Sequence, residues 1–136
     1  MNIGMLLNGN YPADIRVRKE AETLVENNHS VFILCKRNPD EKVYEVVNGV
    51  QVIRKIEYRS LSHEGIIDVI ASVGFVHPFF KNELPYFIKE NKIEVLHVHD
   101  LPLAKTAFLA AKKKHLKTVL DLHLLFLRVI NFYILF

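Results

Sequence analysis

Two histidines and an aspartate, His97-Val98-His99-Asp100, form the group of side chains in this sequence best suited to chemistry. Residues two apart on a strand share a face, so His97 and His99 project together and Asp100 follows at the strand's mouth. The trio suits zinc ligation or proton transfer. No third ligand stands at a convincing metal spacing, and a hydrogen-bonded structural histidine is the competing account, above all for His97.

His123 closes Asp121-Leu122-His123, where an imidazole suits a hydrogen bond to a substrate hydroxyl, proton transfer, or a purely structural place. Gly9, in Asn8-Gly9-Asn10-Tyr11-Pro12, allows a backbone to approach a ligand while the next helix aims free N–H groups at an anion. A plain turn into a helix explains the same residues. Arg16 stands in the first turn of that helix, where a cation is disfavoured without an anion nearby. It suits a phosphate clamp, a solvated face or a salt bridge to Glu20. The dinucleotide fingerprint G-x-G-x-x-G is missing, which counts against a nicotinamide or flavin site.

These groups need strands that end on one edge, and the hydrophobic pattern supplies them. Residues 3–7 and 31–35 are short apolar runs that read as buried strands. Between them Val17, Ala21, Leu24 and Val25 recur at helical spacing behind Asp14, a plausible N-cap. The unit is βαβ, which implies a parallel sheet with a right-handed crossover. Asn48-Gly49 between apolar runs predicts a hairpin.

Residues 66–76 read as a buried helix. A second helix follows around Phe80, Leu84, Phe87 and Ile88, with Pro85 clouding its start. A strand over 94–98, a helix beginning at Pro102 and a strand over 117–122 complete the pattern. The fold class is α/β: a doubly wound, mainly parallel Rossmann-like sheet with helices on both faces. Ligands bind such sheets at the carboxyl ends of the strands, where all three polar segments fall.

The chain has 136 residues, 50% hydrophobic and 24% charged, which suits one domain with one core. The formal charge of +3 is spread among acids, and the lysines at 112, 113, 114 and 117 read as an exposed helix end, so nucleic acid is not implied as a partner. One cysteine, Cys35, sits in an apolar run, in keeping with a buried thiol in a reduced compartment. The first residues have no basic segment and too short an apolar stretch for a signal peptide. His29, His63, His77 and His115 read as surface residues.

Taken together, the segments Asn8-Gly9-Asn10-Tyr11-Pro12-Ala13-Asp14-Ile15-Arg16-Val17-Arg18-Lys19-Glu20-Ala21, His97-Val98-His99-Asp100-Leu101-Pro102-Leu103-Ala104 and Asp121-Leu122-His123 resemble the N-terminal domain of subfamily-4-like glycosyltransferases of the GT-B fold. The resemblance implies retaining transfer of a sugar from a nucleotide-sugar donor to an acceptor, the acceptor bound mainly by this half. It implies that the loop at Gly9 and Asn10 approaches the donor's phosphates or sugar, that His99 and Asp100 line the acceptor side, and that His123 sits beside the reacting sugar. No metal and no further cofactor is implied.

The expected organisation is a domain over 1–123 and an aberrant apolar tail over 124–136, in place of the polar, Glu-containing loop usual after Asp-Leu-His. A frameshift or premature stop accounts for that tail; a terminal helix packed on the sheet or on a partner is the alternative. On this reading the chain lacks the donor-binding domain, is inactive alone, and needs a separate donor-domain chain to act. The other reading is a non-catalytic module of the same fold that binds a small anion, a membrane or a partner. The expected location is cytoplasmic, with peripheral contact to the membrane's inner face through the tail.

Overall fold

The computed structural model describes residues 1–58, 60–74, 76–122 and 132–135. The chain begins with β1 (Asn2–Leu6), α1 (Ile15–Glu26) and β2 (Ser30–Lys36), the βαβ unit expected from the apolar pattern. The hairpin β3 (Tyr44–Val47) and β4 (Val50–Ile56) follows, then α2 (Leu61–Gly74) and α3 (Pro78–Glu90). Next come β5 (Val95–Val98), a 3-10 turn (Leu101–Leu103), α4 (Ala104–Lys114), β6 (Lys117–Leu122) and β7 (Phe132–Leu135).

The seven strands lie in the order β3-β4-β2-β1-β5-β6-β7. The central five are parallel, and the hairpin strand β3 and the far strand β7 are antiparallel to their neighbours. The chain winds outward from β1 in both directions, so β1 and β5 flank the point where the order reverses. Loops diverge there and leave a crevice at the strands' carboxyl ends.

Two apolar layers hold the sheet. Val17 and Ala21 of α1 pack on Ile3, Met5, Ile33 and Val52, while Phe80, Leu84 and Phe87 of α3 join Leu103 and Ala107 against Leu34, Leu96 and Val98 on the other face. Each of the large side chains so buried contributes roughly 1.5–3 kcal/mol. Asp14 caps α1 as expected, its carboxylate accepting from the N–H groups of Arg16 and Val17. The β3–β4 turn also follows its sequence: Asn48 and Gly49 both have positive φ, 50° and 82°, the pair that matches the twist of a two-residue hairpin.

Three expectations need correction. The helix over 66–76 was expected to be buried, yet α2 buries only Ala71, and Leu61, Ile66, Val69, Ile70 and Val73 are exposed. The two sheet faces are already covered by α1 and by α3 with α4, which leaves α2 packed mainly on the 3-10 turn. Pro85 lies inside α3, whose start is set by Pro78 at its first turn. The described part of the apolar C-terminal segment is not a helix: Phe132–Leu135 pairs with β6, Asp121 opposite Tyr133. No helix among the described residues is long and apolar enough to cross a membrane.

Candidate functional site

The polar edge is built from the loop after β1 and the ends of β5 and β6. Asp100 Oδ2 accepts the Asn8 N–H at 2.9 Å, which ties the first loop to the end of β5. The His99 N–H donates to the Leu6 carbonyl at 3.2 Å and continues the β1–β5 ladder one step past the end of β5. Gly9 and Asn10 follow, half-buried, with the Gly9 carbonyl accepting from the Lys36 N–H at 2.9 Å. A Cβ at Gly9 would meet only Leu7, at an ordinary 3.7 Å, so the fold itself does not require glycine there. The Tyr11–Pro12 peptide is cis.

Arg54 of β4 holds this loop from below. It is 2% exposed, and its Nη2 donates to the Tyr11 carbonyl at 3.0 Å and meets Glu45 at 2.9 Å. Tyr11 beside it is fully buried, and burial is the main cause that pushes its hydroxyl up to about 12. The neighbouring Cys35 is a buried free thiol, also pushed up to about 12 chiefly by burial.

A second support comes from α2 and α3. The Tyr58 hydroxyl donates to Asn8 Oδ1 at 3.2 Å and lies 2.9 Å from His77 Nε2. With the hydroxyl proton directed to Asn8, the network assigns the His77 proton to Nε2. The His77 backbone N–H donates to Thr106 Oγ1 at 2.8 Å, and Asn8 Nδ2 donates to Asp68 Oδ1 at 3.0 Å. His77, expected at the surface, is in fact fully buried; it ends the segment before α3 and closes over Phe80.

Burial lowers the His77 pKa, with the Asp68 carboxylate opposing. The unfolded chain therefore takes up a proton below about pH 6.5 that the folded chain refuses. Stability from this group is present above that pH and declines as pH falls, by at most about 1.4 kcal/mol per pH unit. His77→Gln, which keeps a donor toward Tyr58, is expected to flatten this part of the stability profile; urea unfolding of both proteins between pH 5 and pH 7 measures it.

Arg16 does not bond Glu20. Its Nη2 and Nε reach Asp14 Oδ2 and Oδ1 at 2.8 and 3.2 Å, and this pairing raises the Arg16 pKa. The helix cap is thus the anion that a cation in the first turn requires. The Arg16 side chain stays about half exposed at 48%, within electrostatic range of Asp100 and Asp121.

Glu20 turns instead toward the histidines. Its Oε1 lies 3.4 Å from His97 Nδ1 and its Oε2 lies 3.8 Å from His99 Nδ1. Asp121 Oδ2 of β6 stands 3.8 Å from the same His99 nitrogen. His97, His99 and Asp121 are all buried. Burial and the Asp121 charge push Glu20 up to about 7, and burial lowers His97. Asp100 is also raised by burial, with the Asn8 N–H bond opposing.

The structure therefore joins Asp100 with the Gly9 loop, and His99 with Glu20 and Asp121. His123 lies outside the described residues. Sequence reasoning missed Glu20 and Arg54 as parts of this edge. A charged residue that continues the inward alternation of Val50 and Val52 is a signal for Arg54; the contact of Glu20 with residues 77 and 79 positions away has no local one. A cavity of about 330 Å³ lies on the opposite, α4-covered face, lined by Val98, Phe108 and Leu120 among others. Its walls are apolar and carry none of these groups.

The fold and the edge together define a doubly wound α/β domain that gathers titratable side chains at the switch point of its sheet. By sequence, residues 13–135 match the model of Glycosyltransferase Family 4, and the chain belongs to that family. In fold it resembles sucrose-phosphate synthase from Thermosynechococcus elongatus, with a TM-score of 0.70 at 13% identity over 92% of this chain. A second structure of that protein, titled with residue ranges 27–220 and 406–426, gives a TM-score of 0.67 at 13% identity over 91% of this chain. The chain spans 33% and 64% of those two structures, respectively. No curated protein sequence matches it.

Proposed function

We propose that this chain is the acceptor-side domain of a glycosyltransferase of carbohydrate biosynthesis, which carries out retaining transfer of a sugar from a nucleotide-sugar donor to an acceptor. The observation that carries the reading is the junction of the β1 loop and the end of β5 through Asn8 and Asp100, in a chain whose family works on nucleotide sugars and acceptors in general. Gly9 and Asn10 line the donor side, with no bulk needed at Gly9 by the fold. Arg16 meets the donor's phosphates with the exposed part of its side chain. His99 and Asp100 orient the acceptor, and His123 stands beside the reacting sugar.

Transfer across a cleft needs two walls to orient and desolvate the reactants. A donor-binding wall must therefore meet this edge for transfer to occur, and residues 1–136 without one are expected to transfer no sugar. The compartment in this reading is the cytoplasm, in keeping with the buried lone thiol, with any membrane contact peripheral. The test is to pair the chain with the donor-binding half of a family member, in trans or fused, and to assay nucleotide release from a panel of nucleotide sugars. Release is expected only in the combination. Release by the donor-binding half alone at the same rate, or none from any pairing, counts against the proposal.

A further inference from the structure

One ligand atom from each of Glu20, His97 and His99 lies within 4.8 Å of the other two. The contacts of 3.4 and 3.8 Å exceed the roughly 2.7–3.2 Å of a formed N–H···O bond. They lie slightly above the edge of a zinc tetrahedron, about 3.3–3.4 Å for metal–ligand bonds of about 2.0–2.1 Å. Asp121 Oδ2 stands beside the group, 3.8 Å from His99 Nδ1.

Two carboxylates and two imidazoles sit together, His97 at 5%, His99 at 2% and Asp121 at 4% exposure, and the imidazole rings are 4.3 Å apart. His97 Nε2, the ring nitrogen other than the one that faces Glu20, is buried with no hydrogen-bond partner.

We propose that Glu20, His97 and His99 form a binding site for a divalent transition-metal ion of the zinc class. The donor set, two imidazoles and one carboxylate, is one that zinc accepts with water in the fourth position. The elements meet beside the switch point: α1 supplies Glu20, and β5 with the residue after it supplies the histidines. A bound ion would clamp α1 to the sheet edge beside Asp100, so the site binds metal whether or not the chain takes part in sugar transfer.

The test uses the full chain stripped by chelator and then titrated with Zn²⁺ or Co²⁺. One equivalent of Co²⁺ is expected to produce the visible bands of a tetrahedral complex. Zn²⁺ at about 100 times its dissociation constant is expected to raise the thermal midpoint by roughly 8–12 °C. Glu20→Gln and His97→Asn should each weaken binding by more than about 10²-fold, beyond the 10–100-fold that outer-shell partners cost. His115→Ala, at the exposed end of α4, should leave it unchanged.

Circular dichroism establishes that each variant is folded, and the wild-type titration stands even where a variant is not. No stoichiometric uptake and no midpoint shift in the wild type overturns the proposal. So does undiminished binding by the folded Glu20→Gln and His97→Asn variants.

Discussion

Replacing Arg54 with methionine is expected to destabilise the domain by about 3 kcal/mol, read as a lower midpoint in urea unfolding. The side chain is 2% exposed and ties the Tyr11 carbonyl, the Lys42 carbonyl and Glu45 to β4. Methionine fills much of the volume, so the loss comes from polar groups left without partners and not from a cavity. A buried carbonyl without a donor costs about 1–3 kcal/mol, and breaking a buried ion pair about 3–5 kcal/mol. Glu45 is 41% exposed and recovers water, which keeps the total toward the lower end. Arg54→Lys, which keeps a charge but loses the fork, should fall between. If Arg54→Met unfolds within 0.5 kcal/mol of wild type, about the size of an ordinary surface change, the loop does not depend on this anchor.

The second large effect concerns Asp100. In the enzyme completed by a donor-binding domain, Asp100→Ala is expected to lower kcat/KM by about 10²-fold, the size of loss that follows a misplacement of about 1 Å at a reacting centre. The physical cause is the missing acceptor for the Asn8 N–H, which frees the β1 loop from β5. Asp100→Asn keeps an oxygen that can accept this bond and removes only the charge. A loss in Asp100→Ala that Asp100→Asn largely restores identifies the tether as the working part. Equal losses identify the charge, and no loss in either sinks the role given to Asp100.

How legible this was varied by the range of the interactions concerned. The βαβ unit, the Asp14 cap and the Asn48-Gly49 hairpin rest on contacts between residues near in sequence, and their patterns name them directly. Likewise, His97 and His99 share a face because a strand alternates, and the three polar strand ends fall on one edge because the strands are parallel. The surface position of α2 was not legible. Its residues are apolar enough for a core, and only the prior occupation of both sheet faces leaves it outside. Nor was Glu20 legible as a neighbour of the histidines: that contact depends on how α1 is rotated over the sheet. A reading from the helix alone pairs Glu20 with Arg16 four residues away, a choice that the closer Asp14 pre-empts.

That choice has a further result. The carboxylate that finishes α1 is also the counter-ion of Arg16, so an anion drawn to the arginine enters an occupied seat. Binding becomes a change of partner for the guanidinium, and because Asp14 stays at the helix end, a bound anion adds its own negative charge there. Asp14 can give up the guanidinium and still hold the N–H groups of Arg16 and Val17. The helix thus has no need to unwind for the exchange to occur, and neutral sugars, which offer the arginine nothing better than its own aspartate, gain no hold on it.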